Sequence, residues 1–275
     1  MSLAPTLAVR AEAPAAEAKP LIEFGVAAGG GYLPDYPAAG QNHVRAIALP
    51  YFAYRGEFFR SDEKGLLRGR LIRTRDFEFD ISLNGSFAAD SDDNDARSGM
   101  PDLDWMGEIG PRLQITLARA ARDAKLDLEI PVRAVFTTDL TDLSYRGFVF
   151  APELAYQNEN FLDAGLKAKL SAGPVFATAG LMDYFYEVAP AFATASRPAF
   201  EAEGGYLGSR LQLALSKRLG SRVTVFAAAR ADFHQGATNA DSPLFRDRTT
   251  FAVGIGMVLS LWQSERRAKP EQPFR

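Results

Sequence analysis

The 275-residue chain contains no cysteine, which removes disulfides, thiolate metal sites and thiol catalysis together. It also lacks an excess of charge of either sign. Lys and Arg number 31 against 34 Asp and Glu, for a net charge of −3, so there is no electrostatic footprint for nucleic acid. No stretch approaches the ~18 consecutive apolar residues that a membrane helix needs. With 47% hydrophobic residues and a mean hydropathy of −0.12, composition alone resembles a soluble domain. A β-barrel gives the same average, because each apolar lipid-facing residue alternates with a polar residue facing the lumen.

That alternation is present. Phe77, Phe79, Ile81, Leu83, Gly85 and Phe87 share one parity, and Glu78, Asp80, Ser82, Asn84 and Ser86 share the other. Successive strand side chains point to opposite faces, so this segment has one apolar and one fully polar face. Ile109, Leu113, Ile115 and Leu117 oppose Glu108, Arg112, Gln114 and Thr116; Leu126, Leu128, Ile130, Val132 and Phe136 oppose Lys125, Asp127, Glu129 and Arg133. Weaker versions follow around Leu166 to Phe176, Arg210 to Ser216 and Arg222 to Val225. The last, from Phe251 to Leu261, sets large apolar residues against Ala252, Gly254, Gly256 and Ser260.

Connections alternate between long and short. The long ones are Pro34 to Asn42, Asp90 to Asp104, Ala189 to Glu201 and Gln235 to Arg248. Short ones fall near Arg73 to Asp76, Ala120 to Ala124 and Leu219 to Ser221. Outer-membrane barrels have long external loops and tight periplasmic turns. If the long loops share one end, parity requires an extra hairpin between His43 and Arg73, for which Tyr54 to Arg60 is a candidate strand. The expected fold is all-β, an antiparallel transmembrane barrel of about 12 strands, with 10 as the alternative. Residues 21–262 form the barrel, 1–20 a truncated signal-like or disordered leader, and 263–275 a polar C-terminal tail. A soluble β-sandwich is the competing fold, but there is neither a linker after Lys19 nor an internal repeat. Leu113 to Ala124 also has the propensity of a short helix.

Several stretches resemble the MipA/OmpV family of outer-membrane proteins. They are Gly29-Gly30-Gly31-Tyr32 through Tyr36 and His43 to Leu49-Pro50-Tyr51 and Tyr54-Arg55-Gly56, then Phe58-Phe59; Gly99 to Asp104; Tyr184 to Val188; Gly204-Gly205 to Arg218; and Asp241-Ser242-Pro243. Members commonly end on an aromatic residue, whereas here Gln263 to Arg275 follows Trp262. The resemblance implies a barrel in the cell outer membrane, among lipid and lipopolysaccharide. For some members it implies a scaffold that links a periplasmic lytic transglycosylase to a murein synthase.

Candidate chemistry is sparse. His43 and His234 are the only histidines. His234 shares parity with Asp232 and Arg230, the arrangement of a general base in a hydrolase or of a hydrated rim cluster. Asp90 to Asp95 opens like a calcium loop, but position six is Asp95 instead of Gly and position twelve is Pro101 instead of Glu, which favours a solvated acidic loop. The inferred lumen carries Glu78, Asp80, Asp127 and Glu129 with Arg68, Arg70, Arg112, Arg133, Lys167, Lys169, Arg210 and Arg230. Such groups line a selective pore or pair and close it. Tyr51, Phe52, Tyr54, Trp105, Tyr184 to Tyr186 and Trp262 suit interfacial girdles. No catalytic residue, metal site or cofactor is expected. The favoured reading is a non-enzymatic scaffold in murein maintenance, followed by a narrow solute channel and then a hydrolase. The alternation predicts that Leu83→Arg costs roughly 2–4 kcal/mol near the bilayer midplane while Ser82→Arg costs less, a difference readable in equilibrium refolding.

Overall fold

The computed structural model describes residues 20–55, 59–62, 65–69, 72–74, 76–121 and 123–268. Its strands are β1 (Ile22–Pro34), β2 (Asn42–Tyr54), β3 (Phe59–Asp62), β4 (Gly65–Gly69), β5 (Ile72–Arg73), β6 (Phe77–Ser86), β7 (Trp105–Ala121), β8 (Ala124–Thr138), β9 (Leu143–Phe150), β10 (Glu153–Phe161), β11 (Leu166–Ala177), β12 (Gly205–Leu219), β13 (Val223–Phe233) and β14 (Thr249–Gln263). One helix, α1 (Ala179–Tyr186), follows β11. Neighbouring strands pair antiparallel in the order β2-β1-β14-β13-β12-β11-β10-β8-β7-β6-β5, eleven strands on one path.

Closure comes from the chain's two terminal strands. β1 pairs with β14 from Glu23↔Gln263 to Tyr32↔Val253, and with β2 along its whole length. The β3–β4 hairpin lies against β2 on one side and β6 on the other. It supplies the extra hairpin that parity requires, with β3 beginning later than the Tyr54 to Arg60 candidate. The segment from Leu113, weighed above as a short helix, is the second half of β7, paired in register to β6 and β8.

β9 and β10 lie end to end along β8, with Thr138↔Leu143 to Val132↔Phe150 followed by Glu153↔Glu129. The break falls at Ala151-Pro152, and Pro152 has no N–H to give to a ladder. Opposite this break a Cβ on Gly173 would lie 2.0 Å from the Pro152 carbonyl oxygen, so only glycine lets β11 pass at this point.

The alternation sorts the two faces as a membrane barrel requires. On β14, Phe251, Val253, Ile255 and Leu261 are all more than half exposed, whereas Thr250, Ala252 and Ser260 are buried. On β8, Asp127, Glu129, Arg133, Val135 and Thr137 are buried while Val132 is exposed. Outside, Phe24, Phe52 and Trp262 cluster at the short-turn end, with ring centroids 4.9 and 5.8 Å apart, the position of an interfacial girdle. Tyr51 and Tyr184 to Tyr186 do not join one. Tyr51 is buried, facing inward from β2, and the other three are in α1, where Phe185 and Tyr186 are buried.

Each strand's direction places the loops after β1, β6, β11 and β13 at the same end. They fold inward and pack on one another. Tyr36, Ala89, Leu103, Leu181, Met182, Phe185, Tyr186, Val188 and Leu244 form a shared apolar core with Val135, Val149, Val175 and Leu207 from the barrel wall. Thr178, the N-cap position of α1, ties this cap to β9: its backbone N–H donates to Phe148 O at 3.0 Å, and its Oγ1 accepts from Phe148 N–H at 2.9 Å. Leu181 is almost fully buried in the cap. Leu181→Ala should cost about 2–5 kcal/mol of cap packing, observed as faster proteolysis within residues 178–204 while the barrel stays folded.

Candidate functional site

Two regions concentrate buried polar chemistry, the lumen wall and the cap above it. On the wall formed by β6, β7, β8, β10 and β11, every buried carboxylate has a cation or amide partner. Arg112 lies between two acids. Its Nε donates to Asp80 Oδ1 at 2.9 Å and its Nη1 to Glu129 Oε2 at 2.9 Å. Lys169 Nζ then joins Glu129 Oε1 at 3.0 Å to Glu153 Oε1 at 2.9 Å. Asp127 accepts from Gln114 at 2.9 Å, Thr116 at 2.8 Å and Gln157 at 3.1 Å, and Lys125 Nζ sits 2.7 Å away. Arg133 Nε donates to Glu108 Oε2 at 2.7 Å. The register explains these meetings, since Asp80↔Arg112 and Gln114↔Glu129 are cross-strand partners and opposite residues on one face are within side-chain reach.

The opposite wall, β12 to β2, is built differently. Arg210 Nε donates to Asp232 Oδ1 at 2.7 Å, and Arg230 Nε lies 2.8 Å from Asp232 Oδ2. Below them the inward positions become small: Ala214 opposite Ala228, then Ser216 opposite Phe226, Gly256 and Gly29 in one row. A cavity of about 480 Å³ lies between the two walls, bordered by Arg112, Glu129, Arg133, Arg210, Arg230 and Phe226. Of the sequence-predicted lumen residues, Arg70 and the Arg68 side chain lie outside the described residues. Asp80, Arg112, Asp127, Glu129 and Lys169 form one network, Lys167 pairs with Glu159 at 2.7 Å, and Arg210 and Arg230 share Asp232.

In the cap, the loops exchange specific hydrogen bonds as well as apolar contacts. Tyr36 Oη donates to Leu244 O at 2.7 Å, Tyr186 Oη to Pro37 O at 2.8 Å and Ser242 Oγ to Tyr186 O at 2.8 Å. Burial raises both tyrosine pKa values above the ordinary phenol range, so these hydroxyls remain donors. Arg97 spans the cap, donating to Pro101 O at 3.0 Å and Ser91 Oγ at 3.2 Å, with its guanidinium 5.7 Å from the Tyr36 ring centre. The acidic loop turns its carboxylates to its own backbone: Asp90 Oδ1 accepts from Asp92 N–H and Asp92 Oδ1 from Gly99 N–H. Among the described residues no cluster of His, Asp and Glu gathers as metal ligands would.

The two histidines are structural fasteners of this cap. His43 Nδ1 is 2.8 Å from Asp35 Oδ1, and Asn94 Nδ2 donates to Asp35 Oδ2 at 2.8 Å. His234 is buried, with Nδ1 2.9 Å from Leu207 O and Nε2 3.2 Å from the Ala38 N–H donor. The carbonyl can only accept and the amide can only donate, which fixes the neutral tautomer with its proton on Nδ1. Asp232 pairs with Arg210 and Arg230, and it does not orient the His234 ring. Sequence parity placed His234 and Asp232 on one face, but not the partners that occupy each.

Burial lowers the His234 pKa from its ordinary value of 6.5. The unfolded chain therefore takes up a proton more readily than the folded one, and stability rises with pH across this range. The His234 contribution is complete above about 6.5 and declines as pH falls below it. Acidification from pH 7.5 to 5.5 should speed proteolysis of residues 234–248, and His234→Gln should flatten that pH dependence.

Comparison with known proteins places this architecture. No curated protein matches the sequence. Among solved structures the chain is similar to a bacterial polysaccharide outer-membrane secretin, at 10% identity and a TM-score of 0.42 over 90% of this chain and 100% of that one. It is also similar to the NanC porin, at 12% identity and 0.41 over 86% and 100%, and to outer membrane phospholipase A from Escherichia coli, at 12% identity and 0.34 over 88% and 94%. The family model described as MltA-interacting protein MipA matches residues 26–260. The chain is an outer-membrane β-barrel and belongs to the MipA family.

Proposed function

We propose that this chain is a non-catalytic scaffold in murein maintenance, which holds a periplasmic lytic transglycosylase, and through it a murein synthase, at the inner surface of the outer membrane. The observation that carries this reading is the cap. Four long loops share one apolar core at the end from which they project, and among the described residues they fold inward over the lumen there. What remains for a partner is the opposite end, where the β10–β11 and β12–β13 turns are short. Leu219 to Arg222 is one of them: Gln263 Nε2 donates to Ser221 O at 2.8 Å and Ser260 N–H to Arg222 O at 2.7 Å. Rigid turns of this kind offer a surface whose ordering cost is met before binding. The name of the family supports the identity of the partner.

The channel reading has one observation in its favour, the lumen cavity. The hydrolase reading has none, because both His234 ring nitrogens already hold cap contacts. The refolded barrel in lipid nanodiscs should bind a purified lytic transglycosylase saturably, with Kd of about 1 μM or tighter. Replacing the β12–β13 turn should weaken that binding, and the barrel should be electrically silent in a planar bilayer. Discrete conductance steps from a barrel that fails to bind the enzyme would overturn the scaffold in favour of a channel.

A further inference from the structure

The lumen cavity has three properties that pairing within the barrel does not use. First, its arginine wall holds more cations than carboxylates: Arg133, Arg210 and Arg230 face only Glu108 and Asp232. Arg210 and Arg230 share the single carboxylate of Asp232. Arg230 Nε is buried, and its N–H is directed at no acceptor despite the 2.8 Å approach of Asp232. Gln212, the cross-strand partner of Arg230, adds a neutral amide beside it.

Second, a large apolar ring faces this aqueous space. Phe226 has the inward parity of Arg230 and Asp232, is 41% exposed, and borders the cavity. A phenyl ring pointing into a polar lumen forgoes the burial that lipid would give it. It rests on glycine: a Cβ on Gly256 would come within 2.4 Å of the ring, and one on Gly29 within 3.8 Å. The small inward residues Ala214 and Ala228 continue the cavity wall beside the ring. From Phe226 to Arg230 is four residues of strand, about 13 Å.

Third, the cavity extends toward the end opposite the cap. Its border reaches Glu159 and Lys167, which flank the short β10–β11 turn. Its volume of about 480 Å³ is that of a small-molecule site, within the usual range of roughly 300–1,000 Å³.

We infer that the lumen is a binding site, entered from the short-turn end, for a small amphiphilic carboxylate whose anionic head meets Arg230 and Arg210 and whose apolar body lies on Phe226, Ala214 and Ala228. The guanidinium fork suits a carboxylate through charge-assisted hydrogen bonds. The Phe226 ring gains the apolar cover that the empty lumen denies it. An alkyl ammonium of the same shape would place its charge beside two arginines and is excluded.

The test is a titration of the full-length barrel in lipid nanodiscs with 4-phenylbutyrate and with 4-phenylbutylamine, followed by ligand-observed saturation-transfer NMR, with empty nanodiscs as the reference. The carboxylate should bind saturably and the amine should not. Arg230→Gln should weaken the carboxylate by about tenfold, as expected for a charge-assisted contact. Phe226→Ala should weaken it while leaving the preference for carboxylate over amine intact. Arg230→Gln and Phe226→Ala are to be confirmed as folded by their heat-dependent gel mobility. Equal binding of acid and amine, no signal above empty nanodiscs, or full affinity in folded Arg230→Gln and Phe226→Ala would each overturn the site. None of these readouts involves a transglycosylase, so they stand or fall apart from the scaffold.

Discussion

Hydrocarbon offers no hydrogen-bond partner, and every other feature of this molecule depends on that constraint. A backbone N–H or C=O left unpaired in lipid costs several kcal/mol, so a sheet crosses a bilayer only when its edges meet. Here the ladder of β1 with β14 joins the first and last strands, and the β3–β4 hairpin lies between the path's remaining edges, β2 and β6 with its short neighbour β5. Once the sheet closes, the period of two becomes a division of space: one parity sees lipid and the other sees the lumen. The charged residues of β7 and β8 are thereby confined to a narrow interior. Their carboxylates acquire partners such as Arg112, because an unpaired buried charge is far costlier than a paired one.

The interior also has to be filled. Side chains alone fill a barrel of about eight strands, and a wide aqueous channel becomes the rule at about sixteen. With eleven strands on its hydrogen-bonded path, this barrel lies between the two. It resolves the excess space in two ways: loops fold in at one end to form a second, apolar core, and long charged side chains span the middle from one wall. Tyr36, Tyr186 and His234 hold the loop core with hydrogen bonds whose geometry requires the neutral side chains.

The sequence made the barrel legible where alternation was unbroken. β6, β7, β8 and β14 have one purely apolar parity each, and the four long loops stood out by length and turn residues. Legibility failed where the signal was non-local. β9 and β10 carry Gly147 and the Ala151-Pro152 break, which interrupt the pattern that identifies a strand, and their unity is visible only through their common partner β8. Tyr184 to Tyr186 has the composition of a membrane girdle. It is instead a helical turn that the cap buries, because loops distant in sequence supply its environment. His234 shared a face with Asp232, but the backbone groups of Ala38 and Leu207, which commit its two nitrogens, leave no trace in residue identity. The lumen charges were recognised as a set; the division into a paired wall and a half-paired wall required the register.

That division has a cause in side-chain size. On β6 to β11 the inward residues are long and charged, each needs a counterpart on the next strand, and together they occupy their half of the lumen. On β14 and β1 the inward residues are mainly Gly, Ala and Ser, so there the backbone itself forms the wall. The cavity is bordered by β6 to β8 and β10 to β13, and the one large apolar ring that enters it from β13, Phe226, fits only because Gly256 gives it room. Those glycines also serve the seam: a Cβ on Gly256 would lie 2.8 Å from the Ala28 carbonyl oxygen and one on Gly29 3.0 Å from that of Ile255, so the close approach of β1 and β14 needs them. The room for the Phe226 ring and the pairing of β1 with β14 therefore rest on the same small residues.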